Sequence, residues 1–551
     1  MQRGNQLFAR GDRYVRNLAL ARAGNLPFFL LALFVVYAWA RDVGRASARP
    51  DGLKPVPHGL KPAPHGLKPV PHGLKPVPHG LKPVPHGVKP VPHGVIAAAL
   101  FSALPPILAH AGLATTDMAA AATTIAALYA FTVWLDAPSW PRAALLGIAI
   151  AGGMLSKFSF LLLFPLGVVI IAAFQFRRIR WRHFAAIVPI VLLLVAAAYR
   201  FERGSLLDMR AKTSVPGTAE QRAAEYAQTP GYEWIRPDIL IAYYDYAHAA
   251  ARAGVVGVDF VDWAKTVGYP SPLAGRSGRD TMQGAPKPEP KPATEWLRAA
   301  WHRVVVRSKL PAITFLTGAD YVRQHSAMGH GEAWLFDENR PNGYWYYFPV
   351  ILFFKTPLPF LVFVVAGFLY LRRGRALILV LIPLAMLAVS MTSRINIGVR
   401  HILPIYPFLA IAAACGAVLL WQRSRVLVAV LGVWYFAATA IAHPDYLAYF
   451  NEAAGRHPER IAADSNLDWG QDLLRLAAEM KDEPLHLSYF GSAEWQRFLP
   501  HARPLPPRYT RGWVAVSEMI YLRQRDQELA WLTRFEPERR VGKSIRLYRI
   551  P

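Results

Sequence analysis

The chain has 551 residues, of which 53% are hydrophobic and only 18% charged, with a mean hydropathy of +0.20. That balance excludes an ordinary soluble protein, because the apolar residues come in stretches of membrane-spanning length rather than in amphipathic periods. The net charge of +26 invites a nucleic-acid partner, but much of the excess lies in arginine clusters beside apolar runs: Arg177, Arg178, Arg180 and Arg182, then Arg372, Arg373 and Arg375, then Arg423 and Arg425. Such clusters hold loops in the cytoplasm and meet anionic headgroups, so no nucleic-acid partner is expected. The single cysteine, Cys415, excludes an internal disulfide.

About ten transmembrane helices are predicted by length and hydropathy. In chain order they cover 24–40, 95–112, 117–135, 142–156, 158–174, 184–200, 346–370, 376–392, 401–420 and 426–442. With the arginine clusters in the cytoplasm, alternation puts residues 1–23, the segment 201–345 and the tail 443–551 on the opposite, outer side. The first span can run outside to inside because the loop 41–94 is more basic than residues 1–23. A cleaved signal peptide is the rival reading of this region, since Ala38-Trp39-Ala40 follows an apolar core.

Residues 53–94 repeat the heptapeptide Leu-Lys-Pro-Val-Pro-His-Gly with small variations. Two prolines per unit forbid a regular helix or strand, so an extended cytoplasmic linker is expected. Its histidines, His58, His65, His72, His79, His86 and His93, have the chemistry to bind a divalent metal, but near-identity of the units points to duplication in a permissive loop. The segment 201–345 mixes Pro, Gly, Arg and aromatics, which predicts an irregular outer loop with a few helices. In the tail, Asp445–Ala454 reads as helix stopped by Gly455, and Leu485–Phe490, Trp513–Val516 and Ser544–Ile550 read as short strands of a small α/β domain.

The chemically suggestive residues all fall on the outer side. Asp117, in His-Ala-Gly-Leu-Ala-Thr-Thr-Asp from His110, opens a span and is either a helix cap or a functional carboxylate. Lys157, in a tight outer hairpin, either meets a lipid-linked phosphate or snorkels to headgroups. Lys355 lies about two turns into a span and is followed by prolines, so it should face protein or water. Arg394 and Arg400-His401 offer planar donor forks on the side where topology disfavours positive charge; the alternative is a headgroup anchor. Asp464-Ser465-Asn466-Leu467-Asp468-Trp469-Gly470-Gln471-Asp472 gathers three carboxylates and an indole. It reads as a metal or sugar site, or as a Ser465/Asp468 capping box ahead of Leu473–Met480.

Four stretches together resemble the bacterial family 39 glycosyltransferases. They are Leu-Ala-Thr-Thr-Asp at 113–117, Asn-Gly-Tyr-Trp-Tyr-Tyr-Phe-Pro at 342–349 with Lys355-Thr356-Pro357, Gly-Val-Arg-His-Ile-Leu-Pro at 398–404, and the motif at 464–472. That family belongs to the GT-C superfamily, with protein O-mannosyltransferases and the lipid A aminoarabinose transferase as relatives. The resemblance implies an all-α polytopic fold in the bacterial inner membrane, with a large outer loop and a small α/β C-terminal domain. It further implies inverting transfer of a hexosyl or pentosyl unit from a polyprenyl-phosphate carrier to a lipid, glycan or protein acceptor.

On this resemblance Asp117 is the catalytic carboxylate, and Lys157, Lys355, Arg394, Arg400 and His401 are candidates for the donor phosphate. Tyr346, Asp464, Asp468 and Trp469 are candidates for the substrate. No metal ligand is assigned, and a divalent cation is the one cofactor left open. Family members begin with a further span and an acidic outer loop, so the chain reads as N-terminally shortened, which leaves its activity open. A catalytically dead membrane scaffold and a secondary transporter are the competing functions.

Overall fold

The computed structural model describes residues 13–47, 93–204, 309–328, 332–340 and 342–551. Most of the repeat, including His58, His65, His72, His79 and His86, and most of segment 201–345 lie outside the described residues. The chain divides into two compact units, residues 1–191 with 325–551 and residues 192–324.

The first unit is a helical bundle. Its elements are α1 (Tyr14–Ala23), α2 (Leu26–Ser47), α3 (His93–Ser102), α4 (Pro105–Ala111), α5 (Asp117–Asp136), α6 (Trp140–Ser156) and α7 (Phe160–Gln175), followed by α8 (Phe184–Ala198), which runs on past its boundary. Among the described residues, five helical stretches are long and apolar enough to cross a membrane, or seven if each of two bent pairs is one span. Three more apolar segments, including α6 and Arg425–Ile441, are shorter helices. The protein is therefore a multi-pass membrane protein by length and composition.

Two predicted spans are not single helices. The span 95–112 breaks between α3 and α4 with a 65° bend, where Pro105 and Pro106 cannot donate into the preceding turn. The span 346–370 breaks into α10 (Tyr347–Phe354) and α11 (Leu358–Leu371), bent by 115° at Lys355-Thr356-Pro357. The linker boundary also shifts: His93 and Gly94, the end of the repeat, already belong to α3 and are buried against Gly44 and Tyr37 of α2. Only glycine fits at 44 and 94, because a β-carbon at either would strike the facing helix.

The bundle continues with α12 (Ile378–Ser390), a 3₁₀ turn at Val399–Ile405, α13 (Tyr406–Trp421) and α14 (Arg425–Ile441). Small residues place α13 at the centre. Its Ala412 to Gly416 stretch lets α11 approach until Gly416 meets the Phe363 carbonyl and Gly367 meets the Ala412 carbonyl. Nearly every residue of the span containing α13 is accordingly buried, whereas few of those in α8 and its entry turn are.

The bundle has two distinguishable ends, separated by the length of α5. Its 20 residues rise about 30 Å, the thickness of a bilayer's hydrocarbon core. At one end Asp136 pairs with Arg178 at 2.9 Å and Arg375 at 2.6 Å, which joins two of the predicted cytoplasmic arginine clusters. At the other end are Asp117 and the tail, and Tyr14 of α1 stacks edge-on against Phe498 of the tail at 5.5 Å.

The tail is less uniform than predicted. Residues 443–470 form short 3₁₀ turns laid against the bundle, and Asp445–Ala454 is two such turns ending at Gly455 (φ +66°), not a helix. Besides the short hairpin of β3 (Trp334–Leu335) and β4 (Glu338–Asn339), this unit holds a five-stranded sheet in the tail, in the order β6 (Arg503–Pro504), β5 (Leu485–Ser488), β7 (Gly512–Ser517), β9 (Ile545–Ile550), β8 (Arg539–Val541). β5 runs parallel to β6 and β7, while β9 is antiparallel to β7 and β8. Alternation in β7 and β9 supplies both faces. Ala515, Ile545 and Leu547 pack with Leu473 and Leu476 of α15 (Leu473–Glu479), and Val514, Val516, Tyr548 and Ile550 pack with Leu529 and Leu532. Between β7 and β9, α16 (Glu518–Gln524) contributes the fully buried Glu518, whose carboxylate takes the Arg546 guanidinium with both oxygens.

In the second unit, β1 (Arg203–Gly204) pairs antiparallel with β2 (Leu310–Pro311), and α9 (Ile313–Met328) begins there. The Glu202 carboxylate accepts the Thr314 N–H at 2.8 Å, which fixes the start of α9.

Candidate functional site

The residues around Asp117 are positioned by backbone contacts distant in sequence. Asn25, buried between α1 and α2, donates through Nδ2 to the carbonyls of Leu113 and, at 2.9 Å, of Thr115. It thereby holds the turn that leads into α5. Asp117 is the first residue of that helix and is 2% exposed; the N-cap is Thr116, which makes no side-chain cap bond. A helix N-terminus favours a carboxylate, but burial at that depth requires more than the dipole. Lys157 supplies it. This residue sits in extended conformation between α6 and α7, and its Nζ donates to Asp117 Oδ1 at 2.5 Å. Ser156 Oγ and Thr123 Oγ1, 2.9 Å apart, tie that corner to α5.

The other carboxylate oxygen, Oδ2, lies 3.9 Å from Nδ1 of His110 near the end of α4. His110 is 0% exposed, and among the described residues neither ring nitrogen has a hydrogen-bond partner. Its ring meets Trp469 edge-on at 6.3 Å. The guanidinium of Arg400 lies over the same indole, 4.7 Å from the ring centroid. Arg400 forms no ion pair among the described residues, and its buried Nε has no hydrogen-bond partner. Asp117, Lys157, His110, Arg400 and Trp469 thus form one cluster, cationic in sum, where α4, α5 and the 3₁₀ turn meet the tail.

Arg400 owes its place to a knot of buried polar residues. Gly398 has φ +152°, and a β-carbon there would strike Ser465. Ser465 Oγ donates to the Ile397 carbonyl, and Asn466 Oδ1 accepts the Val399 N–H at 3.0 Å. Asn466 Nδ2 also donates to Tyr347 Oη at 2.8 Å. Lys355 closes the knot at the α10/α11 break. Its buried ammonium donates at 2.7 Å to the carbonyls of Leu447 and of Asn466 and sits over the Phe450 ring. Asn451 stitches the same break, donating to the carbonyls of Phe353 and Thr356.

These contacts revise several expectations. Lys355 is fully enclosed and committed to backbone carbonyls, so it braces the tail rather than reaching toward a phosphate. The capping box does not form: Ser465 turns to Ile397, and the residue before α15 is Asp472, which makes no cap bond to the helix. The three tail carboxylates point to different places. Asp464, at φ +56°, accepts its neighbour's N–H at 2.6 Å, and Asp468 accepts the N–H groups of Gly470 and Met519 at 3.0 and 3.3 Å. Asp472 accepts Lys543 N, Ser544 N and Ser544 Oγ and pairs with Arg475. Among the described residues no three His, Cys, Asp or Glu side chains are grouped to hold a metal ion.

Burial raises the Asp468 carboxyl to about 7, aided by the charges of Asp472 and Glu518 and opposed by its two N–H donors. Arg394 is exposed in the loop before Gly398, which Asn396 pins by accepting the Tyr344 N–H at 2.6 Å. The His401 ring lies 6.2 Å from Phe348. Tyr346 belongs to an aromatic group with Tyr344 and the 70% exposed Trp345. Among the described residues the ion pairs of Asp117 are with Lys157 and His110, not with Arg394 or His401.

Nothing local in the sequence marks Asn25, Asn451 or Asn466 as anchors. His110 carried one signal: it stands seven residues before Asp117, in the stretch that opens the span. Comparisons with protein-family models, with curated proteins and with solved structures gave no match.

Proposed function

We propose that the chain is a glycosyltransferase of the bacterial inner membrane. It moves a hexosyl or pentosyl unit from a polyprenyl-phosphate carrier to an acceptor hydroxyl of a lipid, glycan or protein. The site faces away from the cytoplasm, at the end of α5 opposite the arginine clusters. The observation that carries this reading is Arg400: a guanidinium held over Trp469, with no carboxylate of its own, beside a buried carboxylate and an ammonium. A cationic surplus in a largely desolvated place is stabilised by an anion, and a phosphate fits the planar donor fork.

In the reaction the acceptor oxygen attacks the anomeric carbon, and its proton passes to Asp117. The bond from that carbon to the phosphate oxygen breaks, and the lipid phosphate leaves with the electron pair, stabilised by Arg400 and Lys157. Lys157 is partly exposed, so its ammonium can turn from Asp117 to the arriving phosphate and free the carboxylate. With one indole face under Arg400, Trp469 contributes by orienting that cation more than by stacking on the sugar.

A second reading, secondary transport, draws on the two bent helix pairs, since broken helices also line substrate paths. Proteoliposomes given a polyprenyl-phosphate carrier with a radiolabelled sugar separate the readings. Transfer predicts label in a covalent acceptor product, transport predicts label accumulating unchanged, and a scaffold predicts neither.

A further inference from the structure

Buried histidines nearly always satisfy at least one ring nitrogen. Among the described residues His110 satisfies neither, although it is fully enclosed on a short helix whose other buried residues, Pro105, Pro106, Ile107 and Ala109, are apolar. A leucine or phenylalanine would fill such a place without leaving two polar atoms unmatched. The ring instead sits 3.9 Å from the one oxygen of Asp117 that Lys157 does not hold, and its edge meets the indole beneath Arg400. One carboxylate and three cations act on it: Asp117, Lys355, Arg400 and Lys157.

We infer that His110 is the relay partner of Asp117, receiving at Nδ1 the proton that Asp117 takes from the acceptor hydroxyl. This rests on the transferase reading. The O–H bond of the acceptor breaks as its oxygen joins the anomeric carbon, and the proton goes first to Asp117 and then to the imidazole. The electron pair of the broken carbon–oxygen bond leaves with the lipid phosphate. The relay returns Asp117 to its charged form, so that Lys157 can pair with it again once the phosphate departs. His110 does not touch the substrate; it acts through the carboxylate.

The test uses the full chain in proteoliposomes with a polyprenyl-phosphate-linked radiolabelled sugar and single-turnover transfer measured across pH. His110→Gln keeps a polar side chain of similar size but cannot carry the proton. Carrier binding to this variant stays within about twofold of wild type, while its transfer rate falls roughly tenfold or more. Toward acid pH the wild-type rate falls as His110 takes a proton from solvent and can no longer receive one from Asp117, and the variant lacks this contribution to the acid limb. Transfer by His110→Gln at the wild-type rate overturns the relay and leaves the transferase reading standing. If the variant fails to insert, the wild-type pH profile decides alone: a transfer rate that does not fall toward acid pH overturns the relay. Absence of any covalent product from wild type removes both the relay and the reading beneath it.

Discussion

The two ends of α5 carry the same side chain in opposite circumstances. Asp136 is 49% exposed and shares two arginines that are themselves about half exposed. Asp117 is almost wholly buried, paired to a single lysine, and surrounded by groups that lack partners of their own. Solvent screens the first arrangement, and its ion pairs are worth about 0.2–1 kcal/mol each. The second is costly unless something completes it. On the proposed function, positive charge at the Asp136 end reflects orientation in a membrane, whereas positive charge at the Asp117 end awaits a ligand.

That contrast can be broken by experiment. Asp117→Asn should lower sugar transfer by about a hundredfold or more, the scale of a lost general base, while Asp136→Asn leaves the rate unchanged. Equal rates for the two variants would contradict the assignment of the site.

Removing an anchor should have a smaller effect, felt in stability as well. Asn466→Ala strands the Val399 N–H and the Tyr347 hydroxyl, each an unsatisfied buried group costing about 1–3 kcal/mol. The unfolding temperature in detergent should drop by several degrees, and carrier binding should weaken because the backbone before Arg400 loosens. An unchanged melting curve would show that the knot is incidental.

The smallest effect concerns pH. Asp468, raised from 3.8 to about 7 by burial, binds its proton more tightly folded than unfolded. Its contribution to stability is therefore fullest below about pH 4, is lost as pH climbs toward 7, and is flat above. Asp468→Asn should flatten that stretch of the tail's stability profile. A profile equally sloped in the variant would assign the slope elsewhere.

The contrast between the ends also explains what was legible beforehand. Apolar run length marked the apolar helices, and the stretches 485–490, 513–516 and 544–550 read as strands where β5, β7 and β9 lie, because both are local properties of the chain. Asp117, Lys157, Arg400 and Trp469 stood out as charges and an indole in unusual company, and the structure brings them together. The helix breaks were foreshadowed by Pro105-Pro106 and by Lys355-Thr356-Pro357, yet run length outweighed them. The anchors were illegible for a different reason. Asn25, Lys355 and Asn466 bind main-chain groups roughly 70 to 110 residues away, partners that any sequence presents and that only the fold selects.

The central claim is most directly tested by carrier binding at the two ends, using wild type, Arg400→Ala and Arg375→Ala in lipid nanodiscs with a polyprenyl-phosphate-linked sugar. Arg400→Ala should weaken binding by roughly tenfold or more, as loss of a charge-assisted contact implies, and Arg375→Ala should leave it unchanged. Undiminished affinity in the Arg400 variant, or an equal loss in both, would contradict a phosphate site at the Asp117 end.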